Sequence, residues 1–223
     1  MIHQRLQEIR RQISSAELQF HRQPGAVCLL AVSKKQAIQS IIGAYQAGQR
    51  HFGESYVQEA LAKQQHLGAF AITWHFIGPI QANKTKLIAR HFTWAHSVDN
   101  YRIAERLSAH RPDHLPPLNV CLQVNISAEH SKSGVELGAL AALYHSVVDL
   151  PGLRVRGVMA IPAPETDFVK QREPYRRLRH SVAEQSALKL DCFSFGMSGD
   201  LEAAIAEGAT MVRVGTALFG QRR

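Results

Sequence analysis

The first twenty residues carry Ile2, Leu6, Ile9 and Ile13 at spacings of four, three and four. That interval places them on one face of a helix, with Arg5, Glu8, Arg11 and Gln12 on the other. Pro24-Gly25 interrupts the pattern. Beyond it, short apolar or β-rich runs fall at 26–33, 50–53, 73–77, 93–97, 118–125, 153–160, 192–196 and 210–214. Helical periodicity fills every gap, near 37–48, 55–66, 82–91, 99–110, 135–149, 168–187 and 200–207. Strands separated by helices in this regular way run parallel, joined by right-handed crossovers.

Eight strands with a helix in each gap predict a single (β/α)8 TIM-type barrel with an extra N-terminal helix. The helix occupies 1–24 and the barrel 25–220, within one domain of 1–223. An open doubly wound sheet shares the periodicity and stands as the alternative. No linker or low-complexity segment divides the chain, and it stops at Gly220-Gln221-Arg222-Arg223, which leaves no room for a second domain.

Composition narrows the partners. Of 223 residues, 45% are hydrophobic and 20% charged, enough apolar material for a sizeable core. The net charge of +8 favours anions. The basic residues are dispersed, with only short clusters at Arg10-Arg11, Lys34-Lys35, Arg176-Arg177 and Arg222-Arg223. No aromatic-interleaved basic ladder occurs, so a phosphate ligand fits better than nucleic acid. Cys28, Cys121 and Cys192 form no CxxC pair, which leaves a zinc ribbon and a metal site unsupported. An odd number of cysteines without a leader peptide fits a reducing cytoplasm. No apolar run approaches the roughly 18 residues of a membrane span.

In such a barrel, chemistry lies at the carboxyl ends of the strands. The first strand ends in Ser33-Lys34-Lys35, where alternation puts Lys34 on the face of Leu30 and Val32. If that face is inward, the Lys34 amine sits desolvated at the mouth, where a neutral amine attacks an aldehyde to form an imine. Position alone favours a surface lysine opening the next helix. After the seventh strand comes Gly196-Met197-Ser198-Gly199-Asp200, with Ser198 in the position of a helix N-cap. An ordinary cap explains Ser198 as well as an anion site does. Asp200 would repel a phosphate and is expected to point away. The eighth strand alternates Val212 and Val214 with Arg213, which turns Arg213 inward and demands an acceptor for it. Gly215 and Thr216 follow, offering N–H groups and a hydroxyl. Adjacent anion-ready loops after strands seven and eight are the usual barrel phosphate site. His75, beside Trp74 and Phe76, reads as a satisfied core histidine and is given no catalytic role. A phosphate site with an imine-forming lysine suits pyridoxal 5′-phosphate, and equally a sugar-phosphate aldolase.

Several runs carry a closer likeness: Leu30-Ala31-Val32-Ser33-Lys34, Phe52-Gly53-Glu54, Trp74-His75-Phe76-Ile77-Gly78-Pro79-Ile80-Gln81, Gly196-Met197-Ser198, and Met211 to Gly220 (MVRVGTALFG). In this order they resemble the pyridoxal phosphate homeostasis protein family over about residues 26–220. The resemblance implies a barrel like the N-terminal domain of alanine racemase, with PLP bound and no catalytic residue. It implies that Lys34 forms the imine and that Met197, Ser198, Gly215 and Thr216 hold the phosphate. Arg213 would lie near the ring nitrogen or the phosphate. The implied role is storage, buffering or delivery of PLP to apoenzymes that depend on it, with effects on amino-acid and keto-acid balance. A PLP-dependent racemase or decarboxylase is the rival activity. The sequence departs from the family pattern at Ser55, where asparagine is usual, and at Gly199, which separates Asp200 from the GMS serine. The shorter side chain at 55 would loosen a contact with the cofactor.

Overall fold

The computed structural model describes residues 1–127 and 133–220. The Arg222-Arg223 cluster and the chain end at 221–223 lie outside the described residues. A long first helix, α1 (Ile2–Gln19), precedes eight strands: β1 (Cys28–Val32), β2 (His51–Glu54), β3 (Thr73–Phe76), β4 (Trp94–Val98), β5 (Leu118–Val124), β6 (Leu153–Ala160), β7 (Cys192–Ser194) and β8 (Met211–Val214). Between them run α2 (Ile38–Gln46), α3 (Val57–His66), α4 (Thr85–His91), α5 (Tyr101–His110), α6 (Leu140–Val147), α7 (Phe168–Ala183) and α8 (Leu201–Ala206). Short 3-10 turns at Ala82–Lys84 and Leu137–Ala139 lead into α4 and α6. All pairings are parallel, and β1 pairs with both β2 and β8, so the sheet closes into a barrel rather than opening into a doubly wound sheet.

Strand alternation sorts side chains into two layers. Ala31, Phe52, Phe76, Ala95, Leu122, Val158, Phe193 and Val212 belong to the apolar layer packed against the helices. Leu30, Cys121, Met159, Cys192 and Met211 form a separate, smaller cluster inside the barrel. The outer layer is the main store of stability, since each fully buried Leu, Ile or Phe contributes about 1.5–3 kcal/mol. Gly157 sets how closely β6 lies on β7: a Cβ there would stand 1.7 Å from the Cys192 carbonyl oxygen.

The N-terminal helix buries Leu6, Ile9, Ile13 and Ala16 and packs on α2, α8 and a terminal helical turn, α9 (Thr216–Phe219). Buried Glu17 receives the N–H groups of Gly25 at 3.0 Å and Val27 at 2.8 Å, which fixes the turn into β1. Arg22 donates to the carbonyls of Ile205 (3.0 Å) and Ala209 (3.1 Å), tying the same turn to the end of α8. The turn α9 is absent from the periodicity reading, which treats 215–220 as loop; four residues are too few to show a period. Among the described residues no helix is long and apolar enough to cross a membrane.

Candidate functional site

Lys34 is half-buried in the turn two residues beyond the end of β1, so the turn, rather than strand alternation, places it. Both of its neighbours are clamped. Ser33 is buried; its hydroxyl donates to Glu54 Oε1 at 2.6 Å, and its carbonyl accepts from Lys63 Nζ at 2.7 Å. Lys63 Nζ also reaches Glu54 Oε1 at 2.8 Å and Glu59 Oε1 at 2.6 Å. Glu59 Oε1 in turn accepts the Lys35 N–H at 2.5 Å. Lys35 takes a left-handed φ of 59° and its amine lies over the Tyr56 ring, 5.9 Å from the centroid. Burial pushes the Glu54 carboxyl above its ordinary value, against the pull of Lys63 and Ser33. Glu54, Glu59 and Lys63 are not marked by the strand and loop patterns; only the i, i+4 spacing of Glu59 and Lys63 hints at a pair.

The loop after β8 lies against the end of β1. A Cβ on Gly215 would stand 3.3 Å from Val32 Cβ and 3.4 Å from its carbonyl oxygen, so a larger residue there would press on the end of β1. Gly215 is half-buried, Thr216 is exposed, and α9 starts there. The first turn of a helix leaves its N–H groups without intrahelical acceptors, which orients those of Thr216 and Ala217 outward from the helix start. Ser55 is half-buried at the end of β2, next to the Ser33 turn. Its backbone is pressed on Gly78, where a Cβ would come within 2.3 Å of the Ser55 carbonyl oxygen.

The loop after β7 differs from expectation in two respects: Ser198 does not cap α8, and Asp200 does not point away from the loop. Ser198 is not the N-cap of α8; Asp200 holds that position. The Asp200 carboxylate turns back into the loop, accepting the Met197 N–H at 2.6 Å and the Tyr175 hydroxyl at 2.6 Å. The Met197 amide is therefore already engaged, and its side chain is exposed. Ser198 is exposed, with its hydroxyl outside the cap geometry, and it lines a cavity of about 400 Å³ shared with Arg11 and Gln19 of α1. Gly196, at φ 92°, makes the bend that lets this loop leave β7.

Arg213 points into the barrel, as its alternation with the valines requires, and is buried. Protein oxygens are its acceptors here: Nη1 donates to the Ser194 carbonyl and, at 3.0 Å, to the Ser194 hydroxyl, while Nη2 donates to the Ala160 carbonyl at 3.0 Å. It thereby links β6, β7 and β8. Ser194 Oγ lies 2.9 Å from His96 Nδ1, His96 Nε2 lies 2.9 Å from His75 Nδ1, and His75 Nε2 lies 3.0 Å from His51 Nδ1. His75 is thus a satisfied core histidine, but one of three in contact. Burial and the neighbouring His96 and His51 hold His75 well below its ordinary value. Burial, helped by the Arg213 charge, pushes His96 down to about 3. Among the described residues no cluster of three or more His, Cys, Asp or Glu is arranged to hold a metal ion.

The family model described as "Alanine racemase, N-terminal domain" matches residues 5–223. The pyridoxal phosphate homeostasis protein of Escherichia coli (strain K12) is 50% identical over 222 residues, covering 97% of this chain and 95% of the relative. That of Pseudomonas aeruginosa is 56% identical over 201 residues, covering 90% of this chain and 87% of the relative. The structure of PipY from Synechococcus elongatus PCC7942, solved with PLP bound, is 38% identical and superposes with a TM-score of 0.86 over 99% of this chain and 100% of that one. A barrel of this closure and matches of this extent place the chain in the pyridoxal phosphate homeostasis protein family.

Proposed function

We propose that this protein binds pyridoxal 5′-phosphate at the mouth of its barrel and serves the homeostasis of that cofactor, buffering it or delivering it to apoenzymes that depend on it. The observation that carries the reading is the PLP-bound structure of a relative 38% identical over 99% of this chain. The residues present fit the group. Lys34 is half-buried in the turn that follows β1, and the Gly215 loop lies against the end of the same strand, which supports this reading. The hydroxyls of Ser198 and Thr216 are exposed, and the buried guanidinium of Arg213 lies below.

When bound, the cofactor supplies an aldehyde carbon for an amine and a phosphate for N–H and O–H donors. Lys34 Nζ would bond to that carbon, with the aldehyde oxygen and the two amine protons leaving as water. The clamp on Ser33 and Lys35 holds the Lys34 backbone in place while its side chain attaches and releases. Thr216, Ser198 and the Gly215 backbone donate to the phosphate, and Met197 contributes its exposed side chain, because its N–H already serves Asp200. Ser55 borders the site from β2. Arginine stays protonated near neutrality, so Arg213 would keep a ring nitrogen lying beside it unprotonated. An unprotonated ring is a poor electron sink, so the chain acts as a carrier rather than a catalyst. The reading extends to a cytoplasmic location, which the three free thiols support because they would stay reduced there.

The test is mass spectrometry after incubation with PLP and borohydride reduction. A pyridoxyl mass is expected on the peptide carrying Lys34. A mass on another lysine overturns the site, and the absence of any pyridoxyl mass overturns the ligand.

A further inference from the structure

The interior of the barrel holds an unbroken polar line. His51, half-buried, borders a cavity of about 410 Å³ on the N-terminal face, together with Cys28 and Arg50. From there the contacts run through His75 and His96, both with no exposed surface, to Ser194 and Arg213. Trp94 covers the line, its ring stacked on His75 at 5.4 Å between centroids and 14° between planes.

The direction of the hydrogen bonds follows from the chemistry of one end. A guanidinium only donates, so Ser194 Oγ accepts from Arg213. The single hydroxyl proton of Ser194 then goes to His96 Nδ1, the other group within reach. A neutral His96 that accepts at Nδ1 carries its proton on Nε2 and donates to His75 Nδ1. By the same step His75 donates from Nε2 to His51 Nδ1, and His51 keeps its own proton on Nε2. The opposite polarity would turn His96 Nδ1–H onto Ser194 Oγ and leave the serine proton without an acceptor along the line.

We propose that His51, His75, His96 and Ser194 form a one-directional hydrogen-bond chain that positions the Arg213 guanidinium beneath the mouth of the barrel. Three neutral rings, each fixed in its Nε2–H form, hold the Ser194 hydroxyl turned so that its lone pairs face Arg213. The guanidinium, which the Ser194 and Ala160 carbonyls also hold, is then aimed by an array drawn from four strands. These histidines and Ser194 are positioning residues. Their effect on a ligand rests on the PLP-binding reading above; the direction of the chain does not.

The experiment has two arms. In the first, nitrogen–proton correlation spectra of the protein without added ligand read the tautomer of each histidine. Nε2–H at His51, His75 and His96 is expected, and Nδ1–H or a mixture at His75 or His96 overturns the proposal. In the second, PLP affinity and the pH midpoint of the bound cofactor's visible absorbance are compared in the unaltered protein, His96→Leu and His96→Asn. The asparagine keeps an acceptor where Nδ1 stood. His96→Leu is expected to weaken PLP about tenfold, equivalent to about 1.4 kcal/mol, and to move the pH midpoint. His96→Asn is expected to restore most of both. Unaltered affinity and midpoint in His96→Leu, or loss in His96→Asn equal to that in His96→Leu with thermal stability retained, overturns the positioning role. A failure of the unaltered protein to bind PLP strikes the ligand reading instead and leaves the first arm to decide the chain.

Discussion

Lys63 Nζ lies 2.7 Å from the carbonyl oxygen of Ser33, the residue immediately before Lys34. A helix three elements along the chain thus holds the backbone of the candidate attachment lysine, and a buried ion pair supplies the cation. Lys63→Met removes that cation and leaves Glu54 buried without it. Breaking a buried pair from one side costs about 3–5 kcal/mol. For a chain of this size that corresponds to a fall in Tm of roughly 10 °C. Thermal unfolding of the variant measures it, and an unchanged Tm would show that the clamp is dispensable.

Gly196 and Gly199 make a controlled pair within one loop. Gly196 has φ 92°, and a Cβ there would meet Ala204 Cβ at 2.5 Å; Gly199 has nothing within 4 Å. Gly196→Ala is expected to cost about 2–4 kcal/mol through backbone strain and overpacking. Gly199→Ala is expected to stay within about 0.5 kcal/mol. Urea denaturation of the two variants side by side checks the contrast, and equal stabilities would refute it.

The histidine line sets an acid limit. His96 falls from 6.5 to about 3 on folding, and His75 moves in the same direction. The unfolded chain therefore takes up these protons first as the pH drops below about 6.5. Stability from the neutral rings is complete above that value and is lost as pH falls towards 3. The slope is about 1.4 kcal/mol per pH unit for each histidine. A double variant, His75→Phe with His96→Leu, should flatten the slope between pH 6 and 4 in denaturant titrations at stepped pH (values set by about 6.5 as the unfolded value). An unaltered slope would assign the acid sensitivity to other groups.

Ser55→Asn restores the side chain usual after the Phe-Gly-Glu run in the family. Ser55 is half-buried beside the mouth, with its backbone already fixed on Gly78. A longer amide at this position is expected to tighten PLP about three- to tenfold, a gain of about 0.7–1.4 kcal/mol. Equilibrium titration with PLP measures it, and weaker binding would place residue 55 outside the contact.

Carrier and catalyst differ in one rate. With PLP loaded, exchange of the α-proton of free amino acids into deuterated water should stay well below about 1 per second. Exchange at ordinary enzyme rates would favour a racemase over a carrier.

Much of this architecture is legible in the chain because local period reports local structure. All eight strands fall within about two residues of the runs that predict them, and Arg213 turns inward as its flanking valines require. Lys34 and Gly215 lie at the ends of paired strands, β1 and β8, which the closed order brings together. The cap at Asp200 escapes prediction because its carboxylate is turned by Tyr175, a residue of a distant helix. The contact of His51 with His75 and His96 depends on register between three strands, and register leaves no mark in any one of them. The clamp around Lys34 is hidden for the same reason: Ser33, Glu54 and Lys63 come from three separate elements.

The packing of α1 on α8 and α9 brings elements from opposite ends of the barrel domain together. A ribosome releases those ends far apart in time: at about 5–20 residues per second the last helical turn emerges roughly 10–40 s after the first helix. Through that interval the apolar stripe of Leu6, Ile9 and Ile13 lacks α8 and α9, and β1 has no β8 to pair with. Newly made chains are therefore exposed to aggregation until β8 and α9 have emerged. A circular permutant that begins within the loop between α4 and β4 would synthesise the β8–β1 seam in one piece and shorten that exposure.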